Sequence, residues 1–326
     1  MHMPLRRLGA LLAVATATLV AAPAQAAYTS LTVFGDSLSD TGNIFAITGG
    51  TLPVAPYLPG RFSNGPVWVE TLAQGLGLPG AAGAVLQNAG LNFAFGGART
   101  GVANNPPGVL AQVGGLWAPS NPTADPNGLY VVVGGGNDMR DARDGASTPA
   151  SRQAAAAAAA SNIAQSVGLL ASRGARNVLI STLPDLGNTP EAVFLGLVAE
   201  SSDATMRYNT LVAGLEPMLE TLFPGLDVMV LDMFGIANTV RNDALNNNGA
   251  TFGITNVTTP CGTFAGSIGI SCSTSLFSDA LHPSAAAHAI LGRAALALVN
   301  GVPVPATLAL GLAALALLGL QRRRAA

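Results

Sequence analysis

The chain contains no lysine; all 15 of its basic residues are arginine. That excludes Schiff-base chemistry and a lysine nucleophile. Histidine is nearly as scarce, with His2, His282 and His288 the whole supply. Charged residues make up only 10% of the chain, and their signs are unevenly spread. Arg6 and Arg7 lie near the start and Arg322, Arg323 and Arg324 near the end. The middle therefore holds ten Arg against 17 acids, about −7. Phosphate binding needs a positive face, so nucleic acid is excluded as a partner. Cysteine is limited to Cys261 and Cys272. With no further Cys and no suitably spaced His, the pair does not make a metal site. What remains is 326 residues, 49% hydrophobic, enough for one large domain with a sizeable core or two small ones.

The two ends differ from the middle. MHMPLRR is a basic n-region, LGALLAVATATLV an apolar h-region, and AAPAQA closes on an A-x-A-type cleavage site before Ala27. Residues 1–26 thus read as a secretory signal peptide, since the apolar run is short for a transmembrane helix. At the other end, VPVPATLALGLAALALLGLQRRRAA places a proline pair, 15 apolar or small residues from Ala306 to Leu320, and three arginines. Fifteen residues at ~1.5 Å each fall short of a ~30 Å hydrocarbon core. The segment reads as a short or transient span with its arginines on the cytoplasmic side. A buried terminal helix is the alternative, but the segment has no polar face. These elements, in this order, resemble a PEP-CTERM sorting signal, with Pro303-Val304-Pro305 where Pro-Glu-Pro is expected. The resemblance implies processing of residues 301–326 by an exosortase. The expected location is the periplasm, cell surface or exterior, with residues 306–320 as a membrane anchor. In an exported protein a Cys261–Cys272 disulfide is the natural reading. Closing so short a loop stabilises by about 2–3 kcal/mol in the loop-entropy model.

Between these ends, residues 27–300 show no linker or repeat and read as one domain. LTVFG (31–35), LYVVVGGG (129–136), NVLISTL (177–183) and LDVMVLD (226–232) have the continuous apolar character of buried strands. Helical spacing marks 66–78, 151–174, the stretch from Glu191 to Leu222, and 283–299, where Pro283 suits a first helical position. Such alternation predicts an α/β fold, a parallel sheet covered by helices on both faces. Active groups then sit beyond the strands' C-terminal ends, where Ser37, Asn137 and Asp185 fall. Residues 99–127, rich in Gly, Pro and Asn, and 242–276, rich in Gly, Asn, Ser and Thr, read as long loops that could rim a substrate site.

A serine nucleophile needs a base, a group to orient that base, and donors for the oxyanion. His2 leaves with the signal peptide, and His288 lies mid-helix among alanines, where packing is its expected fate. His282 follows Asp279 by three residues in SDALHPS. At that spacing in a turn, the carboxylate can hold Nδ1–H while Nε2 points outward; a helix cap is the alternative reading of the same pair. Donors are expected from GGGND (134–138) and the glycine turn in NFAFGGA (92–98), each a common pattern alone. Asp36 is expected to hydrogen-bond its own loop. Asp40, Thr41 and Asn43 suit the cap of a helix whose start would favour the oxyanion.

Taken together, GDSL at 35–38, NFAFGG, GGND at 135–138 and DALHP at 279–283 resemble, in order, the four blocks of the GDSL (SGNH) hydrolases. RFSNGPVWVE (61–70) and LPDLGNTP (183–190) look like the lipase/esterase branch of that family. The resemblance implies a three-layer α/β/α, flavodoxin-like fold with a mainly parallel sheet. It implies Ser37 as nucleophile, His282 as base and Asp279 as its orienter. The Ser37 N–H, the Gly97 N–H and the Asn137 side chain would bind the oxyanion, Gly97 rather than Gly96 by its distance from Asn92. It further implies a monomeric esterase or lipase with no cofactor and no metal, acting on a lipid, short-chain acyl or acetylated-sugar ester. Acyl transfer to an alcohol by the same site, and a non-catalytic surface-anchored adhesion protein, are the rival readings.

Overall fold

The computed structural model describes residues 28–88, 90–144, 147–261 and 269–301. The expected signal peptide and the expected anchor at 306–320 lie outside the described residues. The four apolar runs form parallel strands β1 (Leu31–Phe34), β2 (Leu129–Val132), β3 (Asn177–Ser181) and β4 (Asp227–Leu231), paired in that order. On the far side of β1 a further extended segment runs parallel. Val33 N–H donates to Leu91 O at 3.0 Å, Phe93 N–H to Val33 O at 2.7 Å, and Phe95 N–H to Gly35 O at 3.1 Å. From β1 the chain thus goes first to one side and then, through β2, to the other. That reversal is a topological switch point, where an open α/β sheet leaves a crevice beyond its strand ends. Ser37 stands at it.

Eleven helices are used below: α1 (Asn43–Ile47), α2 (Trp68–Gly75), α3 (Val85–Asn88), α4 (Val109–Ala111), α5 (Gly136–Arg143), α6 (Pro149–Ser172), α7 (Pro190–Leu195), α8 (Val198–Ala213), α9 (Leu215–Leu222), α10 (Met233–Asn247) and α11 (Ala285–Val299). One face of the sheet (Phe34, Tyr130, Val132, Val178, Ile180) packs against residues of α6 and α8, and the other (Val33, Val131, Leu179) against α2, α10 and α11. The architecture is therefore three-layered, α/β/α. Burying one such aliphatic or aromatic side chain stabilises by about 1.5–3 kcal/mol, so these faces, rather than helix propensity, fix the layers. In α6 the alanine run offers a slim face through Ala156, Ala159 and Ala160, while Ile163, Val167 and Leu170 supply the burial. Thr148 accepts from Ser151 N–H and caps the helix, with Pro149 opening it.

Three expectations need correction. Residues 99–127 are not a plain loop, because α4 continues into a π-helical stretch at Gln112–Trp117 and buries Val109, Val113 and Trp117, spaced by four. The intervening Gly, Pro and Asn obscure that stripe. Residues 242–276 begin inside α10. Finally, Pro283 precedes the last helix rather than opening it: Ser284 is the cap, accepting from Ala287 N–H at 3.2 Å. The span from Glu191 to Leu222 divides into α7, α8 and α9 at Gly196, with φ 70°, and at Gly214.

Candidate active site

β1 ends in a tight turn, in which Ser39 and Asp40 N–H both donate to Asp36 O at 3.0 Å. The turn lifts Ser37 out of the sheet toward the segment before α11. Ser37 Oγ lies 2.9 Å from His282 Nε2, and His282 Nδ1 lies 2.6 Å from Asp279 Oδ2. An ionised carboxylate only accepts, which places the ring proton on Nδ1 and leaves Nε2 to accept from the serine hydroxyl. Asp279 Oδ1 accepts from the Leu281 and His282 amides, so the predicted i, i+3 turn is also a backbone cap. Burial raises the Asp279 carboxyl, but His282's hydrogen bond and charge outweigh it, with help from Tyr57. The net position is about 2.

The RFSNG stretch braces this pair. The Phe62 ring stacks at a tilt on His282, with centroids 5.4 Å apart. Ser63 Oγ donates to Pro283 O at 2.9 Å, and Asn64 Oδ1 accepts from Ala285 N–H at 2.9 Å. Arg61 pairs with Glu70, whose carboxylate caps α2 at Val67 N–H. Two residues that sequence reasoning missed also act here. Tyr57 O–H donates to Asp279 Oδ2 at 2.6 Å. Gln112, fully buried, spans both polar groups of Gly35, accepting from its N–H and donating to its carbonyl at 2.8 Å each. No local pattern marks either one, although a glutamine in the i+3 position of an apolar Val109–Val113 stripe is a weak signal.

On the other side of Ser37, the glycine turn and α5 meet. Gly97 has φ 79° and is exposed, a backbone that favours glycine. Gly96 N–H is committed to Asp40 Oδ2 at 2.8 Å. Among the described residues, neither the Ser37 nor the Gly97 amide has a protein acceptor. Asn137, second residue of α5, donates one Nδ2 hydrogen to Ala98 O at 2.9 Å, leaving the other free. Its Oδ1 accepts from Arg140 Nη1 at 3.2 Å. Arg140 is clamped by Glu191, which also takes the buried Arg143. Burial raises the Glu191 carboxyl, but the hydrogen bonds from Arg140 and Arg143 outweigh it and hold it below the usual carboxylate range. Asp138 accepts from Thr100 N–H and Oγ, fastening the glycine turn to α5. Gly135 opens that helix with φ 106°, against the Tyr208 ring, where a side chain would collide.

The helix that follows Ser37 is not the one at the site. The α1 amides of Asn43 and Ile44, with Gly42 before them, donate to Asp40 and are spent on it. Gly136 and Asn137, at the start of α5, line the same cavity as Ser37. Asp36 accepts from Leu38 N–H within its own turn, as expected. Its burial pushes the carboxyl up to about 6, against the lowering effects of that bond and of His282.

From Ser37 and His282 an apolar cleft runs between Leu183, Leu186, Ile236, Val240, Phe277 and Ile290. A second pocket, which shares Ser37, Asn137, Arg140 and His282 with it, is lined by Phe62, Gly97 and Glu191. Among the described residues none of 99–127 lines the apolar cleft and of 242–276 only Leu276 does; α5, α10 and 183–189 line it instead. Cys261 and Cys272 are disulfide-bonded, with Cα atoms 5.0 Å apart. Among the described residues no three His, Cys, Asp or Glu side chains converge as metal ligands.

The chain is 30% identical over 213 residues to a phosphatidylcholine-sterol acyltransferase from Aeromonas hydrophila, covering 64% of this chain and 60% of that protein. It is 35% identical over 167 residues to lipase 1 from Photorhabdus luminescens, covering 51% of this chain and 24% of that one. It therefore spans less than two thirds of either relative. Among solved structures, an aryl esterase from M. smegmatis aligns over 84% of this chain and 99% of its own, at 16% identity and a TM-score of 0.43. Residues 31–295, a span holding Ser37, Gly97, Asn137, Asp279 and His282 together, match the model of the GDSL-like Lipase/Acylhydrolase family, and the chain belongs to that family.

Proposed function

We propose that this protein is an exported carboxylic ester hydrolase that works through an acyl-enzyme on Ser37. The observation that carries the reading is the chain of contacts Ser37 Oγ–His282 Nε2 at 2.9 Å and His282 Nδ1–Asp279 Oδ2 at 2.6 Å. In this reading His282 takes the serine proton as Oγ attacks the ester carbonyl, and Asp279 holds the imidazole and stabilises its cation. The oxyanion is received by the Ser37 and Gly97 N–H groups and by the second Nδ2 hydrogen of Asn137. The free amides of Ser37 and Gly97, and the engagement of Gly96 by Asp40, support that choice. His282 then gives its proton to the leaving alcohol, and water repeats the sequence on the acyl-enzyme.

The apolar cavity favours a lipid or acyl chain over an acetylated sugar as the group bound beside Ser37. Residues 1–26 serve as the export signal and 301–326 as the sorting or anchor segment of a domain spanning 27–300. A second reading, acyl transfer to an alcohol, is supported by the relative named as an acyltransferase. A fluorophosphonate probe tests the common step. Wild type is expected to label and Ser37→Ala not to; a folded wild type that stays unlabelled would overturn both readings and favour an adhesion role.

A further inference from the structure

Asp279 receives four donors, one for each lone-pair direction of a carboxylate. Three come from its own turn: the Leu281 amide, the His282 amide and His282 Nδ1–H. The fourth, the Tyr57 hydroxyl, comes from 222 residues away and lands on Oδ2, the same oxygen that holds the imidazole. Tyr57 sits on a strap whose sequence, TLPVAPYLPG (51–60), is spaced by prolines. Tyr57 N–H donates to Val54 O, and Leu58 N–H to Ser63 O at 2.8 Å, which ties the strap to the RFSNG stretch. Gly60, with φ 82°, lies against Gly42 so closely that a side chain would strike its Cα, so the strap descends onto the turn after Ser37. Outside, the strap exposes Leu52, Val54 and Leu58 to solvent, so its one inward polar group is the tyrosine hydroxyl.

We propose that Tyr57 is a positioning residue of the acyl-transfer reaction, which locks the Asp279 carboxylate and shares the oxygen that stabilises the imidazolium. The proposal rests on the hydrolase reading above. Losing the hydroxyl acts in two directions. The carboxylate loses a restraint on its rotation, which lowers turnover. It also loses a donor that withdraws charge from Oδ2, so the His282–Asp279 pair holds a proton more tightly and protonation stops the reaction at a higher pH. The other titratable or charged groups facing the pair are Asp36 in the turn after β1, His288 on α11, Arg140 on α5 and Glu191 on α7. A tyrosine-to-phenylalanine change leaves all of them in place.

The test uses Tyr57→Phe, Asp279→Asn and the double variant of the full chain, after fluorophosphonate titration of active sites in each. Tyr57→Phe is expected to lower kcat about tenfold with KM little changed, and to move the acidic limb of the kcat/KM profile up by about half a pH unit. In the Asp279→Asn background the same change is expected to cost less than twofold, because the charge it acts on is gone. An unmoved acidic limb, or equal losses in the two backgrounds, would overturn the proposal and assign Tyr57 to packing. If instead wild type fails to label, the hydrolase reading itself has failed.

Discussion

Removing the carboxamide of Asn137 takes away one of the three donors proposed for the oxyanion but little of the core, since the side chain is only half-buried. Each such donor is worth ~3 kcal/mol in the transition state, so Asn137→Ala is expected to lower kcat about a hundredfold or more. Its thermal unfolding is expected to stay close to wild type, and near-normal turnover would sink the role given to this residue. Asn137, Ser37, Asp279 and His282 were legible because they are rare or chemically distinct types at strand ends or beside a proline. Gly97 was less so. Two adjacent glycines look alike in a sequence, and only the carboxylate of Asp40, 56 residues away, separates them by occupying Gly96 N–H. Tyr57 and Gln112 were not legible, since what makes them matter is a partner 222 or 77 residues distant rather than any spacing nearby.

At the scale of the element, α11 carries a titratable group in its first turn rather than mid-helix. His288 is fully buried; its Nδ1 accepts from Trp68 N–H at 3.3 Å, and its Nε2 has no partner among the described residues. Burial, helped by the charge of His282, lowers its pKa from 6.5 to about 3. A depressed value contributes stability that is present above pH 6.5 and lost as pH falls toward 3. Asp36 runs the other way: its raised value contributes below pH 3.8 and loses that contribution as pH rises through 6. His288→Asn keeps an acceptor for Trp68 N–H and removes the titration. Denaturant melts of wild type and variant between pH 7 and pH 4 should therefore diverge, with wild type losing more stability. Parallel curves would contradict the assignment. The strands and long helices were readable as elements because burial on both faces leaves unbroken apolar runs. The π-helical turn at Gln112–Trp117 was not, because its glycines mimic a loop. Nor does a sequence show that Asp40 consumes the first amides of α1.

For the whole molecule, the layered sheet was legible from alternation, and the switch point at β1 was not. The segment at 91–95 has the short, mixed composition of a turn, and only pairing with Val33 reveals it. The strands pair across 98, 48 and 50 residues in turn, whereas Ser37 and His282 meet across 245 residues. Closing such spans costs entropy that non-local contacts reward only once they form, which slows them relative to local structure. On dilution from denaturant, far-UV circular dichroism is expected to recover before fluorophosphonate labelling. Recovery of both in step would count against this. The bonds from Ser63 and Asn64 to the start of α11 reach across 220 and 221 residues in the same direction. In a chain made from its N-terminus, they give the serine an age limit on innocence. On the proposed reading it emerges early without its base and stays unreactive toward esters until the final helix arrives, so the polypeptide keeps its own warhead disarmed during synthesis.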